Sequence, residues 1–253
     1  MLHGVLIALA GLAIGASLGV LGGGGTILTL PLLLALGVEA RQAIASSLAV
    51  VSATACVAAV RHARAGNVDW RAAALFGPAT AVGGFVAGHA AGRIPGEALL
   101  LVFTALMIAA GISMLLRRPA APSPRASRRA SAAVLALQGA AIGALTGLVG
   151  AGGGFLFVPA FALLAGMPIA RAIGTSLVVI AASALAALAG QLSHVALRLD
   201  VAVPLTAAAI AGAWLGGRLA RRASEAWLRR GFGIFILAVA AWMLARSPYL
   251  RGL

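Results

Sequence analysis

There is no lysine in this chain: all 19 basic residues are arginine. We attach no function to that skew. Cysteine occurs once, as Cys56 inside an apolar run, which excludes an intrachain disulfide and speaks against a metal cluster. Acids number five, namely Glu39, Asp69, Glu97, Asp200 and Glu225, and by pattern all fall in loops or at helix ends. No carboxylate is therefore expected at mid-membrane as a proton relay or sodium ligand. Nucleophile–base constellations, metal-ligand spacings and a phosphate loop ending in Gly-Lys-Ser/Thr are missing too. Neither an enzyme nor a cofactor nor a bound metal is expected. Charged residues of every kind make up 9% of the chain, against about a quarter in a soluble domain.

What is there is apolar. Of the 253 residues, 62% are hydrophobic, and the mean hydropathy is +1.07. A water-soluble globule of this size is excluded. The pattern reads as an all-α integral membrane protein, because several apolar runs reach the roughly 18 residues that span a bilayer as a helix. The net charge of +14 would suggest nucleic acid in a soluble protein. Here the arginines lie in short loops between apolar runs, which is the signature of membrane topology instead. The N-terminal run has no basic leader before it and continues to a glycine cluster, so it reads as the first membrane segment.

Apolar segments fall at roughly 4–21, 26–37, 43–60, 72–92, 97–116, 132–149, 155–166, 172–190, 201–217 and 228–245. They repeat. A shift of 128 places Gly15, Gly19, Gly22, Gly24, Gly25 and Pro31 on Gly143, Gly147, Gly150, Gly152, Gly153 and Pro159. After one inserted residue, AIASSL at Ala43 to Leu48 falls on AIGTSL at Ala172 to Leu177. The chain is an internal duplication: a first transmembrane repeat at 1–118, an Arg/Pro/Ser-rich linker at 119–131 and a second repeat at 132–253.

Arginine positions bear on how the halves are oriented. If each glycine run merely interrupts one crossing, the arginines divide eleven to eight between the two sides. If each run is the tip of a hairpin, one side holds only Arg41, Arg93, Arg198, Arg246 and Arg251, and the other holds the remaining fourteen. The second division is the asymmetry that sets orientation. Inverted repeats are therefore expected, each a Gly-broken hairpin plus three transmembrane helices, about 8 hydrophobic helical units in all. The linker would be cytoplasmic and both termini outside, in a bacterial plasma or inner membrane.

Three motifs carry the candidate chemistry. Gly11, Gly15, Gly19 and Gly23 recur every fourth residue, as do Gly139, Gly143 and Gly147. That spacing lines one helix face and lets a partner backbone approach, so it reads as packing, as do Gly84, Gly88, Gly92, Gly212 and Gly216. The glycine runs themselves, Gly22, Gly23, Gly24 and Gly25 and then Gly150, Gly152, Gly153 and Gly154, cannot hold a stable helix. Helix restarts near Thr26 and Phe155, where free N–H groups and the positive dipole end would face the break. Two such restarts could make an anion site without a buried cation; a tight turn that binds nothing is the plainer alternative. The third motif is the hydroxyl pair Ser46 and Ser47, echoed by Thr175 and Ser176. These could bond oxyanion oxygens, or simply bond back to their own helices. His89 could titrate, but packing at an interface explains it as well.

With these residues in view, the chain resembles the TauE/SafE sulfite-exporter family. Both halves open with G-x-x-x-G-x-x-G-x-G-G-x-x-x-x-x-P and continue into A-I-[AG]-[ST]-S-L, and the resemblance covers residues 4–246. It implies a permease for small anions such as sulfite or organosulfonates, with the glycine runs as the motif positions. Ala151 stands where the first repeat has Gly23, so the two half-sites need not be equivalent. Alternating access and export are the expected mode, with a small anion and the lipid bilayer as partners and no nucleic acid; a homo-oligomer is left open. The alternative is a non-transporting membrane assembly or chaperone subunit, which would use the small-residue faces for docking and the arginine loops for anionic lipid.

Overall fold

A computed structural model of the chain describes residues 2–21, 24–116, 132–149, 154–161, 167–220 and 225–246. Gly22, Gly23, Gly150, Ala151, Gly152, Gly153 and the linker at 119–131 lie outside them. The described residues form helices and their turns, with no strand among them. In chain order the helices are α1 (Leu2–Leu21), α2 (Gly24–Ala35), α3 (Ala40–Arg64), α4 (Trp70–Ala91), α5 (Gly96–Leu116), α6 (Ala132–Val149), α7 (Gly154–Pro159), α8 (Ile169–Gln191), α9 (Leu199–Ala220) and α10 (Glu225–Arg246).

Local chemistry ends these helices where the sequence changes. Gly37, at φ 81°, closes α2: the Val38 N–H reaches back to the Leu33 carbonyl at 3.1 Å and the Gly37 N–H to Leu34 at 3.0 Å. Gly66, at φ 70°, closes α3 in the same way, through Asn67 to His62 and Gly66 to Ala63. Asp69 then caps α4, its Oδ1 accepting from the Ala72 N–H at 3.0 Å. Pro31 does not end α2; the helix runs through it to Ala35 and forgoes one backbone bond.

Four described helical stretches are long and apolar enough to cross a membrane: Ala40–Arg64, Gly96–Ser113, Ala170–Gln191 and Leu199–Gly216. The outer surface suits lipid rather than water. Val82, Phe85, Val86, Leu101, Leu215 and Ile234 are all exposed, a far larger apolar surface than a soluble monomer shows. The 12 residues of α2 cover only about 18 Å, well short of a hydrocarbon core of about 30 Å.

Glycine spacing decides which helices touch. On α1, Gly11 lies against Leu205 and Ala208 of α9 and Gly15 against Ala209 and Ala213; in return Gly212 lies against Leu12 and Gly216 against Ala16. On α6, Gly139 lies against Phe76 and Ala79 of α4, Gly143 against Thr80, and Gly147 against Gly84. Residue numbers rise together in both pairs, so each runs parallel. The first helix of either half thus packs on the fourth helix of the other half. Most of these contacts are with backbone carbonyls, which a Cβ would strike, so the glycines are scaffold as their spacing implied.

The two A-I-x-x-S-L helices, α3 and α8, run antiparallel. Gly174, near the start of α8, abuts Asn67 and His62 at the end of α3, while Ser46, near the start of α3, bonds to Arg198 beyond the end of α8. Two apolar clusters fill the space between helices. One gathers α2 with α5, α9 and α10 around Ile27, Leu30, Phe103, Leu205 and Ile236. The other gathers α7 with α3, α4 and α8 around Leu48, Phe157, Phe161, Leu177 and Ile180. Phe161 meets the Phe76 ring edge-on at 5.1 Å between centroids, tying the α7 side to α4.

Candidate functional site

The first glycine break is a reversal of the chain. Gly25, just inside α2, sits against the Ile14 carbonyl and Leu18 of α1. A continuous helix would hold residues 14 and 25 about 16 Å apart along its axis. α1 and α2 therefore fold back on one another, with Leu21 and Gly24 flanking the tip. Of the candidate residues here, Gly22 and Gly23 lie outside the described residues, Gly24 opens α2, and Gly25 and Thr26 are buried. Thr29, one turn on, returns its hydroxyl to the Gly25 carbonyl at 3.2 Å. In the second half Gly150, Gly152 and Gly153 lie outside the described residues and Gly154 opens α7.

The hydroxyl pairs are engaged, and in duplicate. The Ser46 hydroxyl accepts the Arg198 backbone N–H at 3.2 Å, and the Thr175 hydroxyl accepts the Asp69 backbone N–H at 2.9 Å. Ser46 and Thr175 are equivalent under the shift of 129 between the halves, and so are Asp69 and Arg198. Each half thus clips the turn before the other half's fourth helix. Ser47 donates back to Ile44 and Ser176 back to Ile173, both at 2.8 Å, again at equivalent positions. All four side chains are buried.

The structure does not gather the four hydroxyls. Because α3 and α8 run antiparallel, Thr175 lies level with His62, roughly 16 residues or about 24 Å along α3 from Ser46. The described residues before the two glycine runs separate likewise. Gly147, three residues before the second run, accepts from the Gln191 side chain at 3.0 Å, at the far end of α8. Ala16, close before the first run, lies by Gly216 of α9, and Ala213 one turn earlier accepts from Arg61 Nη1 at 3.2 Å, at the far end of α3. The described residues close before the two glycine runs, Ala16 and Gly147, thus lie toward opposite ends of the antiparallel pair α3 and α8.

Two polar side chains that the sequence did not single out lie at these ends. Arg61 had been counted as a loop charge; it is half-buried and folds back onto the α9 carbonyl, placing a cation near the first break. Gln191 is buried and bridges α8 to α6. Comparing the halves points to Gln191, which stands at the position equivalent to His62, but not to Arg61, whose equivalent is Gly190. His89 pairs with His194 across 3.3 Å, and its backbone lies beside Gly190, next to Gln191. Among the described residues no group of three or more His, Cys, Asp or Glu side chains is placed to hold a metal ion.

Known proteins supply an independent comparison. The family described as Sulfite exporter TauE/SafE matches residues 7–243. A probable membrane transporter protein of Xylella fastidiosa is 37% identical over 242 residues, covering 92% of both chains. The probable membrane transporter protein YunE of Bacillus subtilis is 26% identical over 239 residues, covering 85% of this chain and 86% of its own. One from Haemophilus influenzae is 24% identical over 265 residues, covering 96% and 98%. No solved structure matches the chain.

Proposed function

Because the chain belongs to the TauE/SafE sulfite-exporter family of membrane transporters, we propose that it is a permease for small oxyanions, sulfite and organosulfonates foremost, exporting them by alternating access. The observation that carries this reading is the duplicated glycine break, each copy followed by a short helix in a chain whose halves pack reciprocally. Backbone that leaves helical geometry at membrane depth is tolerated only where protein or a water-filled cavity covers it. In transporters, paired interruptions of this kind mark the substrate path.

The halves act as inverted repeats. Supporting this are the antiparallel run of α3 against its equivalent α8 and the exchange of partners by α1 and α6. Each half then offers one anion-docking element toward one face: Gly22 to Gly25 with Thr26, and Gly150 with Gly152 to Gly154. Arg61 adds attraction to the first of these. Ser46 and Thr175 hold the elements in place through their cross-repeat bonds, and the switch between faces is a rearrangement of one hairpin against the other half. The chain sits in the plasma or inner membrane with both termini outside.

Counterflow of a panel of labelled anions into proteoliposomes tests the assignment. Wild-type protein should exchange at least one small oxyanion. Gly24→Leu and Gly152→Leu should each cut the initial rate by about tenfold or more while the protein still elutes as a folded species. Untouched transport in both folded variants would remove the breaks from the substrate path. Absence of flux for every anion, with a second protein co-purifying, would favour an assembly subunit.

A further inference from the structure

Two metal-ligating side chains meet at a place that takes no part in the anion route proposed above. His89 stands in the last turn of α4, and His194 in the turn that follows α8. His194 Nε2 lies 3.3 Å from His89 Nδ1, in an exposed contact. The rings are tilted by 53°, with 4.7 Å between their centroids.

The backbone is built to bring these rings together. Gly190 lies against the Phe85 carbonyl and the His89 backbone, and Gly88 lies against Ala187, so the ends of α4 and α8 close to backbone contact. Gly92 clears room for the second ring, because a Cβ there would come within 2.7 Å of the His194 Cβ and Cγ. The turn that carries His194 is fixed by its own bonds. The His194 N–H donates to the Gln191 carbonyl at 2.9 Å, and the Ser193 hydroxyl to the Gly190 carbonyl at 3.1 Å. The arrangement is not duplicated: the positions that match His89 and His194 in the other half hold Gly217 and Ala65.

The separation of the two nitrogens bears on what joins them. A hydrogen-bond donor nitrogen usually sits about 2.7–3.2 Å from its acceptor, so 3.3 Å is long for a direct bond. A tetrahedral zinc ion, with Zn–N bonds of about 2.0–2.1 Å, sets two ligand nitrogens roughly 3.3–3.4 Å apart. An octahedral or square ion with bonds of that length would ask for about 2.9 Å. The charges nearest in sequence are Arg93 and Arg198, and Arg198 is paired with Asp200 at 2.8 Å. Neither arginine attracts a cation. A hard ion such as magnesium or calcium, which relies on carboxylate and carbonyl oxygen, is therefore not served, whereas imidazole nitrogen suits zinc.

We infer that His89 Nδ1 and His194 Nε2 are two ligands of a zinc site, with water completing the tetrahedron. Both rings bind as neutral imidazoles. Whichever nitrogen of the pair carries a proton passes it to the far nitrogen of its own ring through water, so the lone pair turns to the metal and no net proton is lost. The bound ion fastens the end of a first-half helix to a turn of the second half. It does so on one face only, the side of Arg93 and Arg198, which is extracytoplasmic in the orientation proposed above. The site stands or falls independently of the transported anion.

The test uses the full chain in detergent, purified without a histidine tag and carrying His3→Ala as a common background. Equilibrium dialysis against zinc chloride reads binding, with magnesium chloride as the control. One zinc per chain is expected, and no magnesium. His89→Gln and His194→Gln should each weaken zinc binding by more than about tenfold, since even loss of a residue that merely supports a metal ligand costs about 10–100-fold. Gly92→Ala keeps both ligands but displaces the His194 ring, so it should weaken zinc as well; it decides the matter should His89→Gln fail to fold. Zinc should also raise the melting temperature of the background protein and not that of the double histidine variant, because an ion held only by the folded chain adds stability by mass action. Absence of zinc binding in the background protein would overturn the site. So would an unchanged zinc affinity in any of these variants that folds, and the two rings would then be a packing contact and nothing more.

Discussion

Two hydroxyls of this protein answer a question that side-chain chemistry alone leaves open. Ser46 and Thr175 each accept a backbone N–H from the opposite half, whereas Ser47 and Ser176 each donate back to a carbonyl of their own helix. Replacing Thr175 with Val leaves the Asp69 N–H without its acceptor inside the bundle and should cost about 1–3 kcal/mol. Thr175→Ser should restore the loss, and Ser47→Ala should stay within about 1 kcal/mol of wild type, as loss of a local back-bond does. Thermal melts in detergent read all three. If Thr175→Val melted like wild type yet abolished transport, the hydroxyl would be a substrate ligand and not a clip. In the sequence a serine on a membrane helix looks the same in either role, since its partner lies more than a hundred residues away.

At the scale of helices, small residues divide into those that touch a backbone and those that touch nothing. A Cβ on Gly15 would strike the Ala209 carbonyl of α9, and one on Gly143 the Thr80 carbonyl of α4. Neither neighbour can yield, because each is part of a helix. Gly15→Ala and Gly143→Ala should each lose more than about 2 kcal/mol, toward the upper range for overpacking, seen as a lower melting temperature and less folded protein. Gly77, inside α4, has nothing within 4 Å of its added Cβ. Gly77→Ala should therefore be neutral or gain up to about 1 kcal/mol from helix propensity. Equal effects at Gly15 and Gly77 would refute the close pairing of α1 with α9. The four-residue spacing announced the packing face; only the structure showed that its partner comes from the other half.

For the molecule as a whole, orientation is the property most exposed to test. The division of arginines under the hairpin reading is fourteen to five, and the reversal of the chain at Gly25 agrees with a hairpin at the first break. A topology reporter fused after Leu253 should read as extracytoplasmic, and one inserted in the linker at 119–131 as cytoplasmic. A cytoplasmic signal at Leu253 would reverse the orientation proposed and the face to which each half-site opens. The reciprocal bonds at Ser46 and Thr175 tie each half to the turn before the other half's fourth helix.

Some of this was settled by the amino-acid order itself. Hydrocarbon tolerates few charges and no unpaired backbone, so composition alone made the chain a helical membrane protein, and the duplication marked its two halves. Glycine's lack of a Cβ made the packing faces legible, and family membership followed from the same motifs. The tertiary structure decided what depends on direction and distance. Residues equivalent in sequence, such as Ser46 and Thr175, came to lie at opposite ends because α3 and α8 run antiparallel. Arg61 donates to a helix carbonyl of the other half, and Gly174 lets α8 approach the end of α3 at His62 and Asn67. Ala16 and Gly147, the described residues close before the two glycine runs, lie toward opposite ends of the α3–α8 pair, a distance that matching the two repeats does not contain.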